Sequence, residues 1–134
     1  MSEVPVRARD YMSSPAITIE EHESVACAQA IMRHLRIRHL PVTRNGALVG
    51  LVSERDIFLL LSLSGVQAEQ ERVEEAMTEM PFMVGPNEPL ASVARAMARG
   101  KLGSAVVVEE GRVVGIITTV DLMRGLGDQA SEHR

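Results

Sequence analysis

Two short segments hold the residue types that could do chemistry. Gly50-Leu51-Val52-Ser53-Glu54-Arg55-Asp56 and Gly115-Ile116-Ile117-Thr118-Thr119-Val120-Asp121 share the pattern Gly-apolar-apolar-Ser/Thr-x-x-Asp. A strand that ends in a hydroxyl residue and opens a helix leaves the first helical N–H groups free. The helix dipole adds positive potential there, so each segment is a ready anion site. Gly50 and Gly115 would let a ligand come close to the backbone. A carboxylate one turn into the helix, Asp56 or Asp121, can accept both hydroxyls of a ribose. A plainer role fits the same residues. Ser53-x-x-Asp56 and Thr118-x-x-Asp121 resemble helix capping boxes, although Glu or Gln is the commoner third partner. Capping accounts for the hydroxyl and the acid, at about 0.5–2 kcal/mol per cap, but it does not call for the glycine. Both roles stay open on these residues alone.

The basic residues divide into two groups. Arg33, His34 and Arg36 fall late in an expected helix, where cations favour the dipole and solvent. Arg38 and His39 instead enter the apolar stretch Leu40-Pro41-Val42, while the matching place downstream holds Gly103 and Ser104. Other chemistries fail on inventory. The histidines (His22, His34, His39, His133) show no metal spacing, and the single cysteine, Cys27, excludes a cysteine pair. Ser53 has neither a histidine nearby in sequence nor the glycines of a nucleophile elbow. The expectation is therefore that the chain is not an enzyme and uses no catalytic cofactor. Cys27 lies in the run Val25-Ala26-Cys27-Ala28 and reads as a small buried hydrophobe. A net charge of −4 argues against a nucleic-acid partner. No stretch nears the roughly 18 apolar residues of a membrane span, and residues 1–10 have no signal-peptide core. With one cysteine and no disulfide, a cytoplasmic location is expected.

The elements that must position these groups come from an internal repeat. A shift of 65 residues lays Gly50 on Gly115, Met32 on Met97 and Val42 on Val107. With one residue of slip, Met12-Ser13-Ser14-Pro15 matches Met77-Thr78-Glu79-Met80-Pro81. Each copy opens with a short extended piece, residues 16–19 or 82–85. A helix follows, over 24–36 or 89–99, with Val25, Ala28, Met32 and Leu35, or Leu90, Val93 and Met97, at helical spacing. Pro89 suits the first turn and Gly100 a stop. Two strands then meet around a tight turn. Asn45-Gly46 between apolar runs is a strong hairpin signal, and Glu110-Gly111 repeats it. A last helix begins near Glu54 and near Thr119. The order β-α-β-β-α, given twice, predicts an α/β fold with two small sheets packed by helices. The expected divisions are 6–64 for the first repeat, 65–71 for a linker, 72–127 for the second repeat and 128–134 for a flexible tail, with residues 1–5 frayed. The core must come from Val, Ile, Leu, Ala and Met, because the chain has no Trp, one Tyr and two Phe. Ile57-Phe58-Leu59-Leu60-Leu61 is apolar on every face of its helix, which predicts a second partner surface, most simply another copy of the chain.

The doubled heptad, the stretch Arg38-His39-Leu40-Pro41-Val42 and the element order together make the chain resemble the CBS-pair proteins, whose repeats are of the cystathionine-β-synthase type. It is similar in particular to the short bacterial ones, and the resemblance spans about residues 6–127. It implies two clefts that take adenosine-containing ligands such as AMP, ADP, ATP or S-adenosylmethionine, and flat dimers of four repeats. Carried over, Asp56 and Asp121 would hold the ribose, and Ser53 and Thr118 the phosphate. Ile17 and Thr18, or Met83 and Val84, would hold adenine. In nucleotide-sensing members of the family, basic pairs placed like Arg38 and His39 reach phosphate. Pro41 and Arg55 beside these groups, and Ser104 in the second copy, complete the expected ligand-binding set. The implied function is a regulatory AMP/ADP/ATP sensor acting as a homodimer on an unidentified effector protein. The alternatives are a ligand-free dimerisation or interaction module, or a binder of S-adenosylmethionine or an NAD-type adenosyl ligand.

Overall fold

The computed structural model describes residues 6–132, with the side chains of Ser64 and Glu132 excepted. In chain order the elements begin with α1 (Ala8–Tyr11), β1 (Ile19–Glu20), α2 (Val25–Leu35), β2 (His39–Arg44), β3 (Ala47–Ser53) and α3 (Glu54–Ser64). They continue with α4 (Val73–Ala76), β4 (Thr78–Glu79), β5 (Met83–Val84), α5 (Leu90–Gly100), β6 (Ser104–Glu109), β7 (Arg112–Thr118) and α6 (Thr119–Glu132). The expected α/β class and the doubled β-α-β-β-α order are both present. Among the described residues, no helix is long and apolar enough to cross a membrane.

The chain divides into two compact units, and their limits differ from those of the repeats. One unit runs from Ile17 to Pro81. Its sheet has the order β1-β2-β3-β4. β1 lies parallel to β2 with Ile19 opposite Val42, and β2 and β3 form the hairpin. Asn45 (φ 52°) and Gly46 (φ 85°) make the turn with both residues left-handed, as a two-residue hairpin of this twist requires. α2 buries Val25, Ala28 and Met32 on this sheet, with Leu40, Val42, Val52 and Ile57 in the same core. Ser24, expected inside α2, stands just before it, and its Oγ accepts the Cys27 N–H at 3.0 Å. Residues 65–71, expected as a linker, lie along the start of α2. Val25 N–H donates to the Glu71 carbonyl (2.8 Å) and Ala26 N–H to that of Ala68 (3.0 Å).

The other unit joins residues 6–16 to residues 82–132. Its sheet has the order β5-β6-β7, and Glu110 (φ 51°) and Gly111 (φ 79°) repeat the hairpin turn. Leu90, Val93 and Met97 of α5 meet Ala105, Val107 and Ile117 in its core, with Ala8 of α1. α5 begins after Pro89, and Gly100 is its last helical residue rather than its stop. The left-handed position belongs to Lys101 (φ 54°), as it belongs to Arg36 (φ 56°) at the end of α2. Residues 128–132, expected in a flexible tail, continue α6. The expected frayed residues 1–5, and 133–134, lie outside the described residues.

Candidate functional site

In the unit from Ile17 to Pro81, the hairpin register sets the candidate groups side by side. His39 opens β2 directly opposite Ser53, the last residue of β3. The Arg38 carbonyl accepts the Glu54 N–H at 2.9 Å, tying the chain before β2 to the first residue of α3. Ser53 then caps α3. Its Oγ accepts the Asp56 N–H (3.0 Å), and Asp56 Oδ2 accepts the Ser53 N–H (3.1 Å). This is a reciprocal capping box with Asp in the place of Glu. Asp56 is half-buried, and among the described residues no cation pairs with it. Arg38 and Arg55 are exposed. Burial pushes the His39 imidazole below its ordinary value of 6.5, with the Asp56 carboxylate pulling it up and the Arg38 charge adding to the depression. His39 is therefore held towards its neutral form.

Three more of the expected residues belong to the same unit. Pro41 is fully buried in β2. Ile17 and Thr18, both exposed, lead into β1, so β2 lies between them and Ser53.

In the other unit, Ser104 opens β6 opposite Thr118, the end of β7. The bonding differs from the first copy. Asp121 Oδ2 accepts both the Thr118 N–H (2.9 Å) and the Thr118 hydroxyl (3.3 Å). Asp121 is buried, 4% exposed, and its Oδ1 accepts a hydrogen bond from Arg124 Nη2 at 2.7 Å. The Ser104 hydroxyl is buried with no hydrogen-bond partner. Val84 lies in the core at 5% exposure while Met83 is 55% exposed, so of this pair only Met83 presents its side chain.

The two glycines have a cause inside the fold. A Cβ on Gly50 would come within 2.6 Å of Met77 Sδ and 2.9 Å of the Thr78 carbonyl oxygen. One on Gly115 would come within 2.6 Å of Met12 Sδ and 3.0 Å of the Ser13 carbonyl oxygen. The close approach expected of a ligand is made instead by the chain's own Met-Ser and Met-Thr segments. β4 pairs with β3 at Gly50, and Ser13 bridges to Ile116. The glycines thus lend no weight to a ligand.

Three-dimensional proximity adds two features that sequence spacing could not supply. His22 lies between Glu21 and Glu74, and one donor atom from each falls within 4.8 Å of the others. Glu74 is far from the other two in sequence, so no local spacing announces the group. Its carboxylates already have cations. Arg44 donates to both Glu21 oxygens and holds that buried carboxyl below the ordinary carboxylate value, and Arg72 stands 3.8 Å from Glu74. The second feature is a groove of about 440 Å³ between α2 and α3, lined by Arg33, Glu54, Phe58 and Leu61 among others. None of Arg38, His39, Ser53 or Asp56 lines it.

Comparison with known proteins agrees with the doubled element order. The family model described as the CBS domain matches residues 8–63 and again residues 73–128. The CBS domain pair of protein MJ0100, solved in complex with 5-methylthioadenosine and S-adenosyl-L-methionine, has a TM-score of 0.85. It is 30% identical and aligns over 94% of this chain and 99% of that one. A putative acetoin utilization protein (AcuB) from Vibrio cholerae also has a TM-score of 0.85, at 29% identity, over 96% and 95% of the two chains. A homoserine O-acetyltransferase from Methanococcoides burtonii is 33% identical over 120 residues, which are 88% of this chain. The chain spans about a quarter of that curated relative's length, 24%.

Proposed function

This chain belongs to the CBS domain family, with two domains in tandem, and from that premise we propose that it is a regulatory module that binds an adenine nucleotide beside Asp56. The observation that carries the reading is the convergence at the end of the β2–β3 hairpin. A half-buried carboxylate with no salt bridge among the described residues, the start of an eleven-residue helix and the Arg38–His39 pair meet there. A ribose diol suits the carboxylate, and an anionic tail suits the helix N-terminus and the two basic residues. Similarity to a domain pair that holds two adenosyl compounds supports the nucleoside part of the ligand. The basic pair favours AMP, ADP or ATP over the cationic sulfonium of S-adenosylmethionine. Ligand binding would alter an effector protein, with no catalysis by this chain.

A thermal-shift panel of AMP, ADP, ATP, NAD and S-adenosylmethionine tests this. A ligand at 100 times its Kd should raise stability by about 2.7 kcal/mol. One of the three adenine nucleotides should give the largest shift. Tighter binding of S-adenosylmethionine than of every adenine nucleotide would contradict the role given to Arg38 and His39. A second reading has an observation of its own. Ser53 and Asp56 do cap α3, and Gly50 is explained by Met77, so an interaction module without ligand needs none of these residues for binding. No shift with any member of the panel favours that reading.

A further inference from the structure

The two Ser/Thr-x-x-Asp segments share a pattern and differ three residues later, where Asp56 is followed by Leu59 and Asp121 by Arg124. From this we infer that Arg124 is the residue that sets ligand occupancy: it closes the second segment by taking the carboxylate oxygen a ribose would need, so the chain binds one nucleoside, at Asp56. This rests on the nucleotide-binding reading above.

The geometry is specific. Asp121 spends Oδ2 on the backbone and hydroxyl of Thr118 and Oδ1 on Arg124. Its side chain is 6% exposed, whereas that of Arg124 is 58% exposed. The carboxylate is thus covered by a cation that itself faces solvent. Arg124 is also held from its other side. Its Nη2 donates to the Tyr11 carbonyl (3.3 Å), and its guanidinium stands 6.0 Å from the centre of the Tyr11 ring. Tyr11 in turn donates its hydroxyl to Asp128 Oδ2 at 2.6 Å, which fixes α1 on α6. A diol entering here would have to displace a charge-assisted bond from a buried acceptor, one of the stronger hydrogen bonds a protein makes. Among the described residues, Asp56 has no such competitor. Leu59 cannot donate, and the carboxylate is half-buried with Oδ2 alone engaged by the cap. The second segment also has Ser104 where the first has His39, so the ring of the first hairpin has no counterpart at that register position.

Calorimetric titration with AMP and with ATP as probes tests the inference through its stoichiometry. Wild-type protein should bind one nucleotide per chain. Asp56→Asn should weaken that event, and Arg124→Leu should add a second one. Arg124→Lys, which keeps a cation over Asp121, should stay at one. Two sites in the wild-type protein, a single site weakened by Asp121→Asn but not by Asp56→Asn, or an Arg124→Leu protein that folds and still binds one, would each overturn the inference while leaving nucleotide binding intact. If Arg124→Leu does not fold, the wild-type count and its response to Asp56→Asn decide the matter. A wild-type protein that binds neither probe removes the proposed function and this inference with it.

Discussion

His39 is the residue whose chemistry is most open to a pH experiment. Burial lowers its pKa, so the folded state favours the neutral ring. Stability from this group is fully present above the unfolded value of about 6.5 and declines as pH falls from there through the lower folded value. His39→Gln should flatten that part of the stability profile, as read by thermal melts at a series of pH values. A phosphate beside the ring would favour the imidazolium, so nucleotide binding should take up protons and tighten between pH 8 and pH 6. Calorimetry in buffers of different ionisation enthalpy measures that uptake, and pH-independent binding would place the phosphate elsewhere. Glu21 behaves in the same sense at lower pH. Arg44 holds its carboxylate charged, so its contribution is present above the ordinary carboxylate range and is lost as pH falls through the depressed value. Glu21→Gln should remove that portion of the acid loss.

At the scale of elements, the glycines test the packing account. Gly50→Ala and Gly115→Ala each drive a methyl group towards a methionine sulfur and a backbone carbonyl. Overpacking of this kind costs about 1–3 kcal/mol, and both variants should melt earlier than wild type by an amount unrelated to ligand. Ile57, 1% exposed, anchors α3 on the core and so holds the Ser53–Asp56 cap in place. Ile57→Ala should cost about 2–5 kcal/mol. The hairpins were legible in the sequence because Asn45-Gly46 and Glu110-Gly111 supply the two left-handed residues such a turn needs. The helices were legible from Val25, Ala28 and Met32 and from their counterparts 65 residues on. The docking of Met12 and Met77 on the glycines was not legible. It depends on which hairpin a flanking segment reaches, and periodicity says nothing about that. For the same reason the pattern around Gly50, taken from sequence alone, suggests room for a ligand. The difference between the two Asp sites was in plain view as Leu59 and Arg124, but only the fold shows that Arg124 turns back onto Asp121.

At the scale of the whole molecule, α3 and α6 each leave large apolar side chains in solvent. Phe58 is 68% and Leu63 85% exposed on one, and Met123 is 65% and Leu126 69% exposed on the other. Exposed side chains of this size are what an interaction surface would cover, and a homodimer is the state the proposed module is expected to adopt. Light scattering at micromolar concentration should give twice the chain mass. Phe58→Asp should shift the protein towards monomer with little change in the fold of each unit. A wild-type monomer at that concentration would leave these faces for an effector protein.

The most direct test of nucleotide binding at Asp56 is a calorimetric titration of wild type and Asp56→Asn with the best nucleotide of the thermal-shift panel, with a melting curve for each protein. The amide oxygen of Asn can still accept the Ser53 N–H, so the cap survives and the melting curves should nearly coincide. Loss of hydrogen bonds to a charged acceptor costs about 1.5–3 kcal/mol, which is roughly a 10- to 150-fold loss of affinity. A weakening of that size with stability nearly unchanged is the expected result. Equal affinity in the two proteins would contradict it and leave Asp56 as a helix cap alone.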